Sequence, residues 1–203
     1  MRKHKFKIIF FDIGGVLLTN GWGHLSRQKA AKKFGLNYEE MEVLHQFIFN
    51  IYEIGSITLE EYLETVVFNH HRDFSLEEFK DFMFGESAEL LQMLTWLKAW
   101  KRDCGIKMFS LNNEGKELND FRIRKFGLHE CFDAFISSCQ AGMRKPDPRI
   151  YRLAMDIAHA QPEECLYFDD RLMLTEAAKK QGMQAYHHEN FETTKNILEK
   201  IIS

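Results

Sequence analysis

Short apolar runs alternate with amphipathic helical patterns over most of the chain. Five runs have the length of strands, and residues 6–11 are almost continuously apolar, as in a strand buried on both faces of a parallel sheet. The five cover residues 6–11, 106–111, 135–138, 165–168 and 184–187. Helical periodicity follows the last four, over residues 117–125, 149–160, 175–181 and 193–202. This alternation predicts an α/β fold built on a parallel sheet.

The long segment between the first two predicted strands is helical. Residues 25–97 show no convincing strand, and a further helix is predicted over residues 88–102. Polar residues that favour N-caps precede acidic residues at three helix starts: Asn37, Thr58 with Glu61, and Ser75 with Glu78. Because a helical block in the first crossover is expected to form a cap, we predict an α/β core at residues 1–18 and 96–203 and a helical cap at residues 19–95.

Polar side chains stand where several of the predicted strands end. These side chains are Asp12, the Asn112-Asn113 pair and the Asp169-Asp170 pair. Lys145 lies in the loop after the third strand. In open parallel sheets, ligands bind beyond the carboxyl ends of the strands, so we expect these side chains to share one rim. Three carboxylates and a lysine at one rim indicate a divalent cation that faces an anionic substrate.

The chemistry that suits such a rim is phosphoryl transfer. A hard cation such as Mg2+ prefers oxygen ligands and keeps several waters, so two carboxylates and substrate oxygens suffice to hold it. A carboxylate nucleophile must approach a negatively charged phosphate, and the metal and a lysine both reduce that repulsion. We expect backbone N–H groups around Gly14 and Gly15 to bind the remaining phosphate oxygens.

Three segments resemble motifs of the haloacid dehalogenase (HAD) superfamily in sequence, order and spacing. They are residues 10–17 (FFDIGGVL), 144–148 (RKPDP) and 167–170 (YFDD). The helical block lies where that family inserts its type-1 cap, so the resemblance covers nearly the whole chain. It implies a Rossmann-like parallel-sheet core with an inserted α-helical cap and places the chain in the phosphatase-like branch.

The resemblance also implies a role for each matching residue. Asp12 is similar to the aspartate nucleophile that takes the phosphoryl group as an aspartyl-phosphate, and Lys145 resembles the lysine that stabilises nucleophile and phosphate. Asp170 is similar to the metal-binding acid, with Asp169 beside it as a second or outer ligand. Asp12 and the backbone carbonyl of Gly14 complete the implied Mg2+ site.

Two positions depart from the family pattern. Most family phosphatases have a second aspartate at position 14, which protonates the leaving oxygen and then activates water, whereas this chain has Gly14. A positioned general acid or base is worth about 10²- to 10⁴-fold in rate. The family also places Ser or Thr before Asn after the next strand. Asn112, followed by Asn113, takes that place as a candidate phosphate ligand, and Ser110 fits only if the register slips by two residues.

These residues favour a Mg2+-dependent phosphatase of small phosphorylated metabolites, such as sugar phosphates. His24, near the hinge into the cap, is a candidate replacement acid because the pKa of histidine lies near neutrality, although a surface role is the commoner one. One alternative is a metal-independent 2-haloacid dehalogenase, against which the Asp169-Asp170 pair argues. A second is a non-catalytic phosphate-binding or interaction module, which Gly14 and Asn112 favour.

Charge and cysteine content bear on partners and location. The 203 residues contain 27 Lys+Arg and 30 Asp+Glu, a balance that disfavours a nucleic-acid partner. The predicted cap has 6 basic and 13 acidic residues and the predicted core 21 and 17, so the core suits an anionic ligand. The four cysteines form no C-x-x-C pair, no apolar run could span a membrane, and the apolar run after the basic residues 1–5 ends at Asp12 without a cleavage pattern. We therefore expect a cytoplasmic protein with no membrane partner.

Overall fold

The structure is a computed structural model that describes residues 6–202. The basic residues 1–5, considered above in relation to a signal sequence, lie outside the described residues. None of the helices in residues 6–202 combines the length and the apolarity that a membrane span requires.

A five-stranded parallel sheet forms the centre of the structure. Its strands are β1 (Ile8–Phe11), β2 (Lys107–Asn112), β3 (Ala134–Ser137), β4 (Cys165–Asp169) and β5 (Gln184–His187). Their order is β3-β2-β1-β4-β5, and every neighbouring pair is parallel. β1 therefore lies in the middle, between β2 and β4. The predicted α/β fold with a parallel sheet is confirmed.

Five helices separate β1 from β2, and the others follow the remaining strands. The helices are α1 (His24–Phe34), α2 (Tyr38–Glu53), α3 (Leu59–Val66), α4 (Leu76–Gly85), α5 (Leu91–Cys104), α6 (Lys116–Lys125), α7 (Ser138–Ala141), α8 (Pro148–Ala158), α9 (Leu172–Lys179) and α10 (Phe191–Ile202). The predicted N-caps of α2, α3 and α4 are confirmed. Asn37 accepts hydrogen bonds from two backbone N–H groups, and Thr58 and Ser75 each form a reciprocal capping box.

Side chains of β1 pack alternately on the two faces of the sheet. Ile9 and Phe11 belong to a buried cluster that includes residues of α5 and α10, whereas Ile8 and Phe10 belong to a cluster with residues of α8 and α9. Both faces are thus covered by helices, which explains why residues 6–11 lack the polar alternation of a half-exposed strand.

Helices α1 to α4 enclose a third hydrophobic cluster. Tyr52, Tyr62 and Phe79 are fully buried in it, and Leu118 of α6 contributes from the side of the sheet. The rings of Tyr52 and Tyr62 stack with their centroids 5.1 Å apart. α5 instead contributes residues such as Leu97 to the cluster under the sheet. The domain boundaries given above, residues 18/19 and 95/96, stay predictions.

Candidate active site

Three carboxylates meet beyond the carboxyl ends of the two central strands. Phe11 of β1 pairs with Phe168 of β4, so the next residues, Asp12 and Asp169, lie at the same level. The Asp12 N–H donates to the Phe168 carbonyl at 2.9 Å, which extends the ladder to the rim. One carboxylate oxygen each of Asp12, Asp169 and Asp170 lies within 4.8 Å of the others. The sheet register thus brings together the three predicted acids.

Lys145 reaches the same cluster from the loop before α8. Its Nζ lies 3.1 Å from Asp12 Oδ1 and 2.7 Å from Asp169 Oδ2. Nζ also donates to the Tyr167 hydroxyl at 2.8 Å, and that hydroxyl donates to Asp169. The side-chain amide of Asn113 accepts from the Lys145 N–H and donates to the Lys145 carbonyl, both at 2.9 Å. Lys145 is therefore fixed at both its backbone and its ammonium group.

The cluster carries more negative than positive charge in a buried setting. Burial raises the pKa of Asp12 to about 7; Lys145 opposes this rise, and the carboxylates of Asp169 and Asp170 add to it. Burial alone would lower the pKa of Lys145, but the carboxylates of Asp12 and Asp169 raise it above its usual range. The lysine therefore stays charged, and the excess negative charge favours a bound cation.

The raised pKa of Asp12 predicts a pH-dependent stability difference between the wild type and Asp12→Asn. Between pH 4 and pH 7, folded Asp12 retains a proton that the unfolded chain loses, so its contribution to stability falls as the pH rises. We expect Asp12→Asn to gain stability relative to the wild type over this interval, by at most about 1.4 kcal/mol per pH unit. Urea unfolding at several pH values without divalent metal measures the difference. A difference that stays constant or falls with pH would contradict the assigned direction of the shift.

Asp170 packs so closely against Gly15 that any larger residue at position 15 would displace the Asp170 side chain. Gly15 has a φ of 71°, and a Cβ built there would lie 2.1 Å from Asp170 Oδ2. Burial raises the pKa of Asp170, and Asp169 adds to the rise. Asp170 Oδ1 is buried and has no hydrogen-bond partner among the described residues. A buried carboxylate oxygen without a donor is the kind of group that a metal ion satisfies.

Gly15→Ala is expected to displace Asp170 and to impair the site. Gly35→Ala is the matched control, because Gly35 has a similar φ of 64° and nothing within 4 Å of its Cβ position. Both variants bear the strain of a left-handed residue, about 1–2 kcal/mol, but only Gly15→Ala has the clash with Asp170. We expect Gly15→Ala to lose at least about 10-fold in turnover and Gly35→Ala to keep its turnover. Equal turnover in the two variants would show that Gly15 is not required for the position of Asp170.

Asn112, the last residue of β2, and Asn113, which follows it, are already engaged in hydrogen bonds. Asn112 donates to Asn119 at 3.0 Å and accepts from Ser137 at 2.9 Å, and Asn113 holds the Lys145 backbone as described above. Both line the cavity described next. Ser110 pairs with Phe11, is fully buried, and has a hydroxyl without a partner among the described residues. Phosphate contacts by Asn112 and Asn113 stay predictions.

A cavity of about 350 Å³ lies between the rim of the sheet and helices α1 and α2. Its lining from the core includes Asp12, Gly14, Asn112, Asn113 and Lys145. Its lining from residues 19–95 includes Trp22, His24, His45, Phe49 and Glu53. Five of the predicted site residues thus line the same cavity as the candidate acid His24. The structure adds Glu53, which the sequence had not singled out.

Gly14 leaves room where the family pattern has an acid. Its φ lies outside the left-handed region, and a Cβ there would closely approach only the exposed Asn20, whose Oδ1 would be 3.0 Å away. The backbone at position 14 therefore tolerates a side chain. Tyr167 was also missed as part of the site, although it lies two residues before Asp169 on the same strand, and alternate residues of a strand share a face.

Comparison with protein families identifies this arrangement. The sequence model of the haloacid dehalogenase-like hydrolases matches residues 6–182, a range that contains every residue of the rim. The chain belongs to this family. It is therefore a HAD-like hydrolase, and the family predicted from the three motifs is confirmed.

Two curated relatives align with most of this HAD-like hydrolase. Flavin mononucleotide hydrolase 1 of Arabidopsis thaliana is 28% identical over 193 residues, which cover 95% of this chain and 76% of that protein. The phosphorylated carbohydrates phosphatase of Thermotoga maritima is 29% identical over 189 residues, 87% of this chain and 82% of that protein. A match to bifunctional epoxide hydrolase 2 of Sus scrofa is 37% identical over 74 residues, 36% of this chain but 13% of that protein.

A solved structure shows the same fold. It is a HAD family enzyme of Bacteroides thetaiotaomicron in complex with magnesium and inorganic phosphate. The TM-score is 0.79 at 20% sequence identity, and the alignment covers 93% of this chain and 98% of that chain. The helices between β1 and β2 and the parallel sheet therefore belong to an architecture that is already known.

Proposed function

We propose that this HAD-like hydrolase is a Mg2+-dependent phosphatase of small phosphorylated metabolites, such as sugar phosphates, with Asp12 as its nucleophile. The observation that carries the proposal is the cluster of Asp12, Asp169 and Asp170, two of which Lys145 contacts at the rim of the sheet. The Arabidopsis and Thermotoga relatives support it, since both are named for the hydrolysis of phosphorylated compounds.

The residues of the rim fit Mg2+. All the offered side-chain donors are oxygens, as this cation requires, and the buried Asp170 Oδ1 lacks any other partner among the described residues. Asp12, Asp170 and the Gly14 carbonyl would hold the ion, with Asp169 as a direct or outer ligand. Bound there, Mg2+ would neutralise phosphate charge and align the phosphoryl group.

Three residues of this chain have distinct roles in the proposed phosphoryl transfer. Asp12 attacks phosphorus and becomes an aspartyl-phosphate, which water hydrolyses to restore the carboxylate. Lys145 Nζ, 3.1 Å from Asp12 Oδ1, favours the charged carboxylate and reduces its repulsion from the incoming phosphate. Asn113, by holding the Lys145 backbone, keeps the ammonium group in reach of both.

The cavity supports a small substrate. Its volume of about 350 Å³ lies near the lower end of the range of roughly 300–1,000 Å³ that ligand pockets occupy. Three ring-bearing side chains from residues 19–95, Trp22, His45 and Phe49, also line the cavity. These features favour a monosaccharide-sized alcohol over a polymer.

Phosphate release from p-nitrophenyl phosphate and from a panel that includes glucose 6-phosphate and flavin mononucleotide tests the proposal. We expect release with MgCl2, loss of release with EDTA, and recovery when Mg2+ is restored. Asp170→Asn should raise the Mg2+ concentration for half-maximal activity at least about 10-fold, whereas the exposed Asp156→Asn should not change it. Full release in EDTA would overturn the proposal, and metal-independent chloride release from 2-chloropropionate would establish a dehalogenase instead.

We also propose that the protein acts in the cytoplasm. The four cysteines, Cys104, Cys131, Cys139 and Cys165, are all free thiols in the structure. Free thiols agree with a reducing compartment. Oxidation-state mapping of these thiols after rapid alkylation of cells tests this point, and disulfide-bonded cysteines in the native protein would contradict it.

A further inference from the structure

Cleavage of a poor leaving group needs a proton donor that position 14 does not supply. An alkoxide leaves slowly unless its oxygen is protonated as the bond to phosphorus breaks. Besides Asp12, Lys145 and four arginines, four side chains that line the cavity carry titratable groups: His24, His45, Glu53 and Glu114. The surroundings of each group determine whether it can act as a proton donor at neutral pH.

Three of the four are poorly suited to the task. Burial lowers the pKa of His45 to about 4, with Arg27 adding to the fall, so this imidazole is neutral at pH 7 and is not an acid there. Both oxygens of Glu114 accept hydrogen bonds, one of them from Arg122 at 2.7 Å. His24 is exposed, and its Nδ1 contacts the Tyr38 hydroxyl at 2.9 Å.

Glu53 differs because it is both buried and incompletely satisfied. It is 6% exposed, and its Oε2 lies 2.6 Å from Arg144 Nε. The angle of that ion pair is not one of a hydrogen bond, so Oε2 has no hydrogen-bond donor among the described residues. Glu53 thus contributes to the lining of the cavity a carboxyl group whose Oε2 accepts no hydrogen bond from the described residues.

Contacts between α2 and the core hold Glu53 in place. The Ser138 hydroxyl donates to the Glu53 carbonyl at 2.6 Å. Gly55, with a φ of 74°, lies so close to α7 that a Cβ would be 2.2 Å from the Cys139 carbonyl oxygen. Arg144 also contacts the Asn50 side chain one turn earlier on α2. The end of α2 is thereby fixed beside the loop that carries Lys145.

We propose that Glu53, a residue of the cap helix α2, is the general acid and base that replaces the side chain missing at Gly14. This inference rests on the proposed phosphatase function and assigns a catalytic residue within it. The proposal stands on the position of Glu53 in the lining of the same cavity as Asp12 and on its unsatisfied Oε2.

Glu53 donates a proton in the first step of the reaction and regains one in the second. In the first, an Asp12 oxygen forms a bond to phosphorus, the bond from phosphorus to the leaving oxygen breaks, and that oxygen takes the electron pair and the Glu53 proton. In the second, the Glu53 carboxylate takes a proton from water as the water oxygen bonds to phosphorus. The bond from Asp12 to phosphorus then breaks, phosphate leaves, and Glu53 is again protonated.

The charges around Glu53 keep its proton available near neutral pH. Burial raises the pKa of Glu53 to about 7, and Glu114 adds to the rise. Arg144, Arg171 and Lys145 oppose it, Arg144 most strongly. An acid with a pKa near the working pH serves equally well as donor in the first step and acceptor in the second.

Leaving-group dependence in Glu53→Gln provides the first test. Phenol is a poorer leaving group than p-nitrophenol, so the leaving oxygen of phenyl phosphate depends more on a proton donor. The kcat/KM of each ester reports the step in which its leaving group departs. We expect Glu53→Gln to lose about 10²-fold or more in kcat/KM for phenyl phosphate and less than about 10-fold for p-nitrophenyl phosphate. Phosphorylated Asp12 should accumulate in the variant, because the second step lacks its base.

Equal losses on the two esters would overturn the assignment and leave Glu53 a contact between cap and core. If the wild type cleaves neither ester with Mg2+, the proposed function fails instead, so the two failures are distinguishable. The double variant Glu53→Gln with Gly14→Asp is the rescue, since position 14 has space for a side chain beside Asn20. Recovery of phenyl phosphate turnover is expected, and recovery of folding alone would not produce it.

Arg144→Gln tests whether Glu53 transfers a proton or whether its pair with Arg144 only holds α2 in position. Removal of the guanidinium removes the strongest influence that lowers the Glu53 pKa. We expect the basic limb of the kcat/KM profile for phenyl phosphate to move to higher pH, because Glu53 then keeps its proton longer. An unmoved limb with a uniform loss of activity would indicate a structural role for the pair.

Discussion

Asp12→Asn is expected to abolish turnover, with a loss in kcat of about 10⁴-fold or more on any phosphate ester. The amide matches the carboxylate in size but is a far weaker nucleophile. The fold should persist, because the wild-type carboxylate is held among Asp169 and Asp170 with Lys145 as the one cation that contacts it in the described part of the chain. Phosphate release and urea unfolding at pH 8 measure the two effects, and we expect stability to be kept or increased.

Asp133→Asn is the control with the opposite outcome. Burial alone would raise the pKa of Asp133, but Lys101 and the Met108 N–H hold it below its usual range. Its charged form therefore stabilises the folded state at neutral pH, and the substitution should lower stability while leaving turnover unchanged. If Asp12→Asn retained turnover, or lost it only through unfolding, the assignment of the nucleophile would be wrong.

Lys145→Met is expected to lower both turnover and stability by a large amount. The Lys145 side chain is 1% exposed, and its ammonium group contacts Asp12, Asp169 and Tyr167. Its removal leaves buried carboxylates without their cation, which costs about 3–5 kcal/mol at neutral pH. We expect kcat to fall about 10³-fold, because the charge that offsets phosphate repulsion is gone.

The stability loss in Lys145→Met should also depend on pH. As the pH falls, the carboxylate of Asp12, whose pKa burial already raises to about 7, takes up a proton in the folded variant and no longer adds to the buried negative charge, so the loss should be smaller at pH 5 than at pH 8. Lys80→Met is the matched control, since Lys80 pairs with the exposed Glu77 at 2.7 Å and is worth about 0–1 kcal/mol. A similar stability loss in the two variants would contradict the buried ion-pair network.

The fold was largely accessible from local patterns. Thr58 and Ser75 mark helix starts that the structure confirms, because a capping box is a contact between residues three apart. The helix predicted at residues 88–102 is found at Leu91–Cys104. Its N-cap, Leu90, makes no side-chain hydrogen bond, so no local signal marks the start.

Some residues of the candidate site could be placed from the sequence, whereas the positions of others depend on long-range contacts. Asp12 and Asp169 could be placed together because register in a parallel sheet aligns the residues that follow paired strands. Glu53 could not, since its position depends on the contact of Ser138 with the end of α2. Asn113 shows a related limit: its position after β2 was predictable, but not that its amide would hold the backbone of Lys145.

Mass spectrometry of the acid-quenched protein, mixed for one turnover with p-nitrophenyl phosphate and Mg2+, tests the central claim most directly. The proposal predicts one phosphoryl group on the peptide that contains Asp12, formed as fast as nitrophenol is released. It also predicts that the adduct is missing from Asp12→Asn and is longer lived in Glu53→Gln. Nitrophenol release without any phosphorylated peptide, or with the phosphoryl group on another residue, would contradict it.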